Sequence, residues 1–171
     1  MTDISGACGS LGITLLRDFW KGLRAAGGKD GRAMELYLGG MAQGKLELVC
    51  RRHPQALVLD EKKLEEVLRM EKASAEAPEI NGWVIWDHFH LFVKSMLAKG
   101  AEPVAIWELV TKGIEETPNL CIISDEIGNG IVPMEKEERI YREETGRILC
   151  KIAGKAESVE RVVCGISVKI K

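Results

Sequence analysis

The chain has 171 residues, 46% of them apolar and 29% charged, with 24 Lys+Arg against 26 Asp+Glu. That length suits one domain, which takes about 100–200 residues. A net charge of −2 speaks against nucleic-acid binding driven by bulk electrostatics, which needs a basic patch or stripe.

The uncharged stretch Ile4–Leu16 holds three glycines and two serines. It is too short and too broken to span a bilayer, which takes about 20 apolar residues. Asp3 stands where a signal peptide has basic residues. The expectation is a cytoplasmic protein with no membrane span. Its five cysteines, Cys8, Cys50, Cys121, Cys150 and Cys164, are odd in number and form no C-x-x-C pair. They read as reduced, buried thiols.

Residues 1–33 hold 7 of the 18 glycines and no proline. Within them Leu15, Leu16, Phe19, Trp20 and Leu23 share one face of an amphipathic helix over Thr14–Ala26, stopped by Gly27-Gly28. This extension is expected to precede a nucleotide-binding domain over residues 34–171. There Glu35–Leu38 reads as a strand, Gly39–Lys45 as a glycine turn and Leu46–Arg52 as a helix. Ala56–Leu59 is a buried strand, Glu61–Ala75 a charged helix, Asn81-Gly82 a turn and Trp83–Asp87 a strand. Helices follow at His88–Ala98 and Val104–Glu116, then a strand at Leu120–Ser124 and a loop at Asp125–Pro133. A long helix over Glu135–Ala156 turns Tyr141, Ile148, Leu149 and Ile152 inward, and Arg161–Cys164 and Ser167–Ile170 are strands around Gly165.

Strands apolar throughout and separated by helices predict an α/β fold with a mostly parallel sheet covered on both faces. With the glycine loop below, this is the three-layer arrangement of P-loop NTPases of the RecA-like type. Ligands then bind at the C-terminal edge of the strands.

Gly39-Gly40-Met41-Ala42-Gln43-Gly44-Lys45 fits seven positions of G-x-x-x-x-G-K-[ST], between a strand and a helix as the motif requires. Its amides and the helix N-terminus would hold phosphate oxygens, and Lys45 would reach the terminal phosphates. Leu46 occupies the eighth position, where a hydroxyl would ligate Mg²⁺. The alternative is a plain strand–helix turn. Asp87 closes an apolar strand, as the second acid of a phosphate-loop enzyme does. It reads either as a metal-linked acid or as a helix N-cap, and both can hold at once. His88 and His90 flank Phe89, and His53 precedes Pro54. Each is either a nucleophile or base toward phosphate or a polar residue at a helix end. Asp125 and Glu126 open the loop after the fourth strand. Arg139, Arg142 and Arg147 on the next helix read either as phosphate-binding forks or as a charged face paired with Glu135, Glu138 and Glu143.

Together these segments resemble the bifunctional adenosylcobinamide kinase / adenosylcobinamide-phosphate guanylyltransferase family. The resemblance is carried by Asp125–Pro133 (acid-x-Gly-x-Gly-x-Val-Pro), Arg142, Gly146-Arg147, Val163–Lys171, Trp83–Leu97 and the loop Gly39–Lys45. It implies phosphorylation of adenosylcobinamide by ATP or GTP, with Mg²⁺. It also implies transfer of GMP from GTP to the product through a covalent histidine, in a homo-oligomer that is a trimer in the family. In longer members the segment between the second and third strands carries that histidine, and Glu61–Asn81 contains none. The expected roles are Lys45 as phosphate clamp, residues 39–46 and Glu126 beside the nucleotide, Asp87 at the metal, and His90, ahead of His88, as nucleophile. Two other readings are a nucleotide-binding regulatory protein of corrinoid metabolism and an unrelated small-molecule P-loop kinase.

Overall fold

The computed structural model describes residues 33–60, 62–63 and 82–171. The predicted helix at Thr14–Ala26 lies outside the described residues, as does that at Glu61–Ala75 apart from Lys62 and Lys63. Of the turn at Asn81-Gly82, only Gly82 is described.

Among the described residues six strands and four helices follow in the order β1 (Ala33–Gly39), α1 (Lys45–Arg52), β2 (Leu57–Leu59), β3 (Val84–Trp86), α2 (Phe89–Ala98), α3 (Pro103–Glu116), β4 (Asn119–Asp125), α4 (Lys136–Lys155), β5 (Ser158–Val163) and β6 (Ile166–Lys169). They form one sheet in the order β2-β3-β4-β1-β5-β6, parallel except for the antiparallel edge strand β6. The α/β expectation is met, with helices on both faces.

Alternation along β1 divides the core in two. Met34 and Leu36 face a large cluster built with Trp86, Phe89 and Phe92, Ile106 and Leu109, and Ile148 and Ile152. Tyr37 faces a smaller cluster with Leu48 and Val49 of α1, Ile85, Cys121, Ile123 and Val162. Thus α1 covers one face, and α2, α3 and α4 the other. Trp86 meets the rings of Phe89 and Phe92 edge-on at 5.1 and 4.9 Å, the geometry the ring quadrupoles favour. Among the described residues no helix is long and apolar enough to cross a membrane.

The chain leaves β1 toward the face covered by α1 and leaves its neighbour β4 toward the face covered by α4. The two exits diverge, so a crevice opens between the C-terminal ends of β1 and β4. Register places Gly39 beside Asp125 at that crevice.

Two expectations need correction. Cys164 is not a strand residue: Cys164 and Gly165, at φ 51° and 76°, form the two-residue turn of the β5–β6 hairpin. Consecutive positive φ values match the strand twist in such turns. The cysteines are also less buried than their neighbours suggested. All four described are free thiols, but only Cys121 is buried, and Cys150 and Cys164 are exposed. Cys164 sits at a turn and Cys150 on the outer side of α4, so local apolarity did not determine which way each side chain faces.

Candidate nucleotide-binding site

The loop from Gly39 to Lys45 is held from both sides. Gly39 ends β1 as a glycine because of a close approach: a Cβ there would stand 2.3 Å from the Val162 carbonyl oxygen of β5. We expect Gly39→Ala to destabilise the chain by about 1–3 kcal/mol, the range for overpacking against structure that cannot yield. A urea midpoint equal to wild type would contradict this. At the other end, Gly44 adopts φ 77° and Ala42 φ 56°, and no side chain caps α1. The first N–H groups of a helix have no intrahelical partner, so this end of α1 is open to an anion. Gln43 ties the loop to the β5–β6 hairpin: its Oε1 accepts from the Cys164 N–H at 2.7 Å, and its carbonyl from the Gly165 N–H at 2.9 Å.

The Lys45 ammonium is nearly buried. It donates to the Gly40 carbonyl at 2.7 Å and to Asp125 Oδ1 at 2.6 Å, with the Gly39 carbonyl at 3.5 Å. Asp125 ends β4, and its other oxygen faces His90 Nε2 at 3.6 Å. The Asp125 N–H donates to His90 Nδ1 at 3.2 Å. His90 is therefore read as the tautomer with its proton on Nε2. Burial pulls its pKa below the ordinary value, and the Asp125 carboxylate only partly offsets this.

His88 stands differently. It precedes α2 in the left-handed region, at φ 52°. Its ring is half-exposed, with Nδ1 2.8 Å from Asp87 Oδ2. The His88 N–H donates to Asp87 Oδ1 at 2.9 Å, so the near-buried Asp87 grips both ring and backbone. Nε2 makes no hydrogen bond among the described residues. The two histidine rings lie 5.8 Å apart between centroids. Asp87-His88, His90, Asp125 and Lys45 thus form one row along the C-terminal ends of β3, β4 and β1.

Of the two consecutive acids at the end of β4, only Asp125 joins this row. Glu126 is bound by a forked pair from Arg161, at 2.8 and 2.9 Å, and by Asn129 at 2.9 Å. Its backbone N–H donates to the Gly39 carbonyl. Leu46 packs against the smaller core cluster and offers no metal ligand. Arg142 donates to the Ile131 carbonyl and Arg139 to those of Pro133 and Met134, so these two hold the loop rather than pair with glutamates. Arg147 does pair, with Glu143 and Glu144. Sequence reasoning passed over Gln43 as a brace and Arg161 altogether. Neither carries a motif signal, because both partners lie far off in the chain.

His53 is remote from this row. It lies at the C-terminal end of α1, with Nε2 3.1 Å from Glu35 Oε2 near the opposite edge of the sheet. Tyr37 and Cys121 also donate to that oxygen, at 2.8 and 3.4 Å. Burial first, then Glu35, pushes the Cys121 thiol well above its usual pKa.

Residues 50–170 match the family model described as cobinamide kinase / cobinamide phosphate guanyltransferase. The chain belongs to that family. The matched span contains Asp87, His88, His90, Asp125 and Glu126, whereas the loop Gly39–Lys45 precedes it. Among curated proteins the chain is similar to the bifunctional adenosylcobalamin biosynthesis protein CobU of Salmonella typhimurium (strain LT2), 42% identical over 52 residues. That alignment covers 30% of this chain and 29% of the relative, less than a third of its length. The match thus spans the histidine–acid segment of the row, while Lys45 and the glycine loop lie before it.

Proposed function

We propose that this chain phosphorylates adenosylcobinamide with ATP or GTP and transfers GMP from GTP to the resulting phosphate, with residues 34–171 as the catalytic unit. The observation that carries the reading is the row from Lys45 through Asp125 to Asp87-His88, placed where an α/β sheet binds ligands. The open end of α1 and Lys45 hold the phosphates. Phosphoryl transfer needs positioning and charge neutralisation more than covalent help, and this edge supplies both.

Mg²⁺ fits the donor set. It is commonly held by one or two carboxylates, with waters and phosphate oxygens completing its shell. Asp87 and Asp125 would hold it, which compensates for the apolar Leu46. Bound there, it neutralises phosphate charge. Glu126, by contrast, acts by holding the loop beside the nucleotide.

For the second reaction we place His88 ahead of His90. Both nitrogens of His90 are turned toward Asp125, whereas Asp87 fixes the His88 proton on Nδ1 and frees the Nε2 lone pair. His88 Nε2 bonds to the α-phosphorus of GTP as pyrophosphate leaves. The corrinoid phosphate then attacks the same phosphorus, and the histidine departs. Splitting the transfer in this way lowers each barrier. Ile131, Val132 and Met134 are exposed on the loop after β4, giving a large acceptor an apolar surface to rest on. A homo-oligomer working in the cytoplasm belongs to the same proposal.

The test supplies adenosylcobinamide and γ-labelled ATP or GTP to the purified chain. Mg²⁺-dependent label on the corrinoid is the expected result. Nucleotide binding without turnover would favour a regulatory role, and label on other alcohols but not on cobinamide would favour an unrelated kinase.

A further inference from the structure

The cluster at the far edge of the sheet has no part in the proposed chemistry. Glu35 and Cys121 are register partners on β1 and β4. They stand four residues before Gly39 and Asp125, about 13 Å along the strands. His53 arrives from the end of α1. One ligand atom from each of the three lies within 4.8 Å of the others. Glu35 Oε2 is the meeting point, 3.1 Å from His53 Nε2 and 3.4 Å from Cys121 Sγ.

We propose that Glu35, His53 and Cys121 form a divalent transition-metal site, with zinc as the fitting ion and water completing the shell. The donor types are those zinc takes: imidazole nitrogen, thiolate sulfur and carboxylate oxygen. Zinc–ligand lengths of about 2.0–2.3 Å set tetrahedral ligand atoms roughly 3.3–3.8 Å apart. The two Glu35 separations, 3.1 and 3.4 Å, lie close to that range, and the His53 and Cys121 atoms, within 4.8 Å of each other, need to close by no more than about 1.5 Å.

The ligands are positioned from outside. The His53 ring lies against Trp83, with centroids 4.0 Å apart. The Tyr37 hydroxyl donates to Glu35 Oε2 and itself accepts from Arg52 at 2.8 Å. Arg52 is fixed in turn by Glu160 and Ser167. Such outer partners hold metal ligands in place. Cys121 is fully buried, while the His53 and Glu35 side chains keep 14% and 24% of their surface in water, so the cluster opens to solvent on their side. On binding, the Cys121 thiol proton passes to solvent and no electron moves. The bound ion joins β1, β4 and the end of α1.

The experiment uses the full chain, stripped with a chelator and titrated with Co²⁺ as the spectroscopic probe. One equivalent is expected to give thiolate-to-cobalt charge-transfer absorption, which Zn²⁺ then displaces. Saturating Zn²⁺ is expected to raise the melting temperature by about 5 °C or more. Cys121→Ser removes the charge-transfer band. His53→Gln, at a partly exposed residue, keeps the wild-type circular dichroism and weakens Co²⁺ binding at least tenfold. It carries the test if Cys121→Ser does not fold. Lys45→Ala leaves the cobalt spectrum unchanged, which separates this site from the nucleotide edge. No thiolate band in the wild type, a band that survives in Cys121→Ser, or unchanged affinity in His53→Gln would overturn the proposal and leave the cluster a hydrogen-bond network.

Discussion

Replacing Lys45 by alanine is expected to abolish the rise in melting temperature that GTP or ATP gives the wild-type chain. At a nucleotide concentration a hundredfold above Kd, binding adds about 2.7 kcal/mol. For a chain of this size that is a rise of about 5–10 °C. Lys45 is the cation inside the loop, already directed at the strand ends by Gly40 and Asp125. Its removal also leaves the Asp125 carboxylate without its ammonium partner. Breaking a buried pair costs about 3–5 kcal/mol; the cost is smaller here because Asp125 keeps part of its surface in water. Lost stability and lost binding can be separated. Lys45→Ala combined with Asp125→Asn removes the unpaired charge, so it should regain much of the melting temperature and still show no nucleotide shift. A full shift in Lys45→Ala would show that the glycine loop does not bind phosphate.

Much of this edge was legible because its signals are local. A strand, two glycines at a fixed interval, a lysine and a helix are neighbours in sequence, and β1 and α1 begin within two residues of the expected positions. What was hidden depends on which way adjacent residues point. Asp125 and Glu126 are consecutive, and strand geometry turns successive side chains to opposite sides. One meets Lys45 and the other meets Arg161, 35 residues along. The same applies to His88 and His90: one sits in a left-handed residue before α2, the other inside its first turn. No periodicity distinguishes those states, since a positive φ at a histidine is set by the surrounding structure and not by propensity. Glu35, His53 and Cys121 are still less legible, because only the pairing of β1 with β4 brings two of them together. The corrected cysteines follow the same rule, as apolar neighbours in sequence are not neighbours in space.

His88→Ala is expected to eliminate covalent labelling of the protein by α-labelled GTP, where the wild type retains an acid-labile, base-stable phosphoramidate. Asp87→Asn should reduce labelling by at least about 100-fold, as expected when a carboxylate that fixes a histidine's tautomer is replaced by an amide. It keeps the shape but loses the charge that holds the ring proton on Nδ1. The backbone supplies a second, independent reading. His88 occupies φ 52° and ψ 40°, a region that costs an L-residue roughly 1–2 kcal/mol and suits glycine. His88→Gly should therefore be unlabelled yet no less stable than His88→Ala, and more stable if the lost ring contacts are weak. In His90→Ala the fold loses the ring that receives the Asp125 N–H, so the melting temperature falls while some label persists. Label that survives in His88→Ala and vanishes in His90→Ala would reverse the assignment. It would require the His90 ring to abandon both its contacts with Asp125 before it could attack.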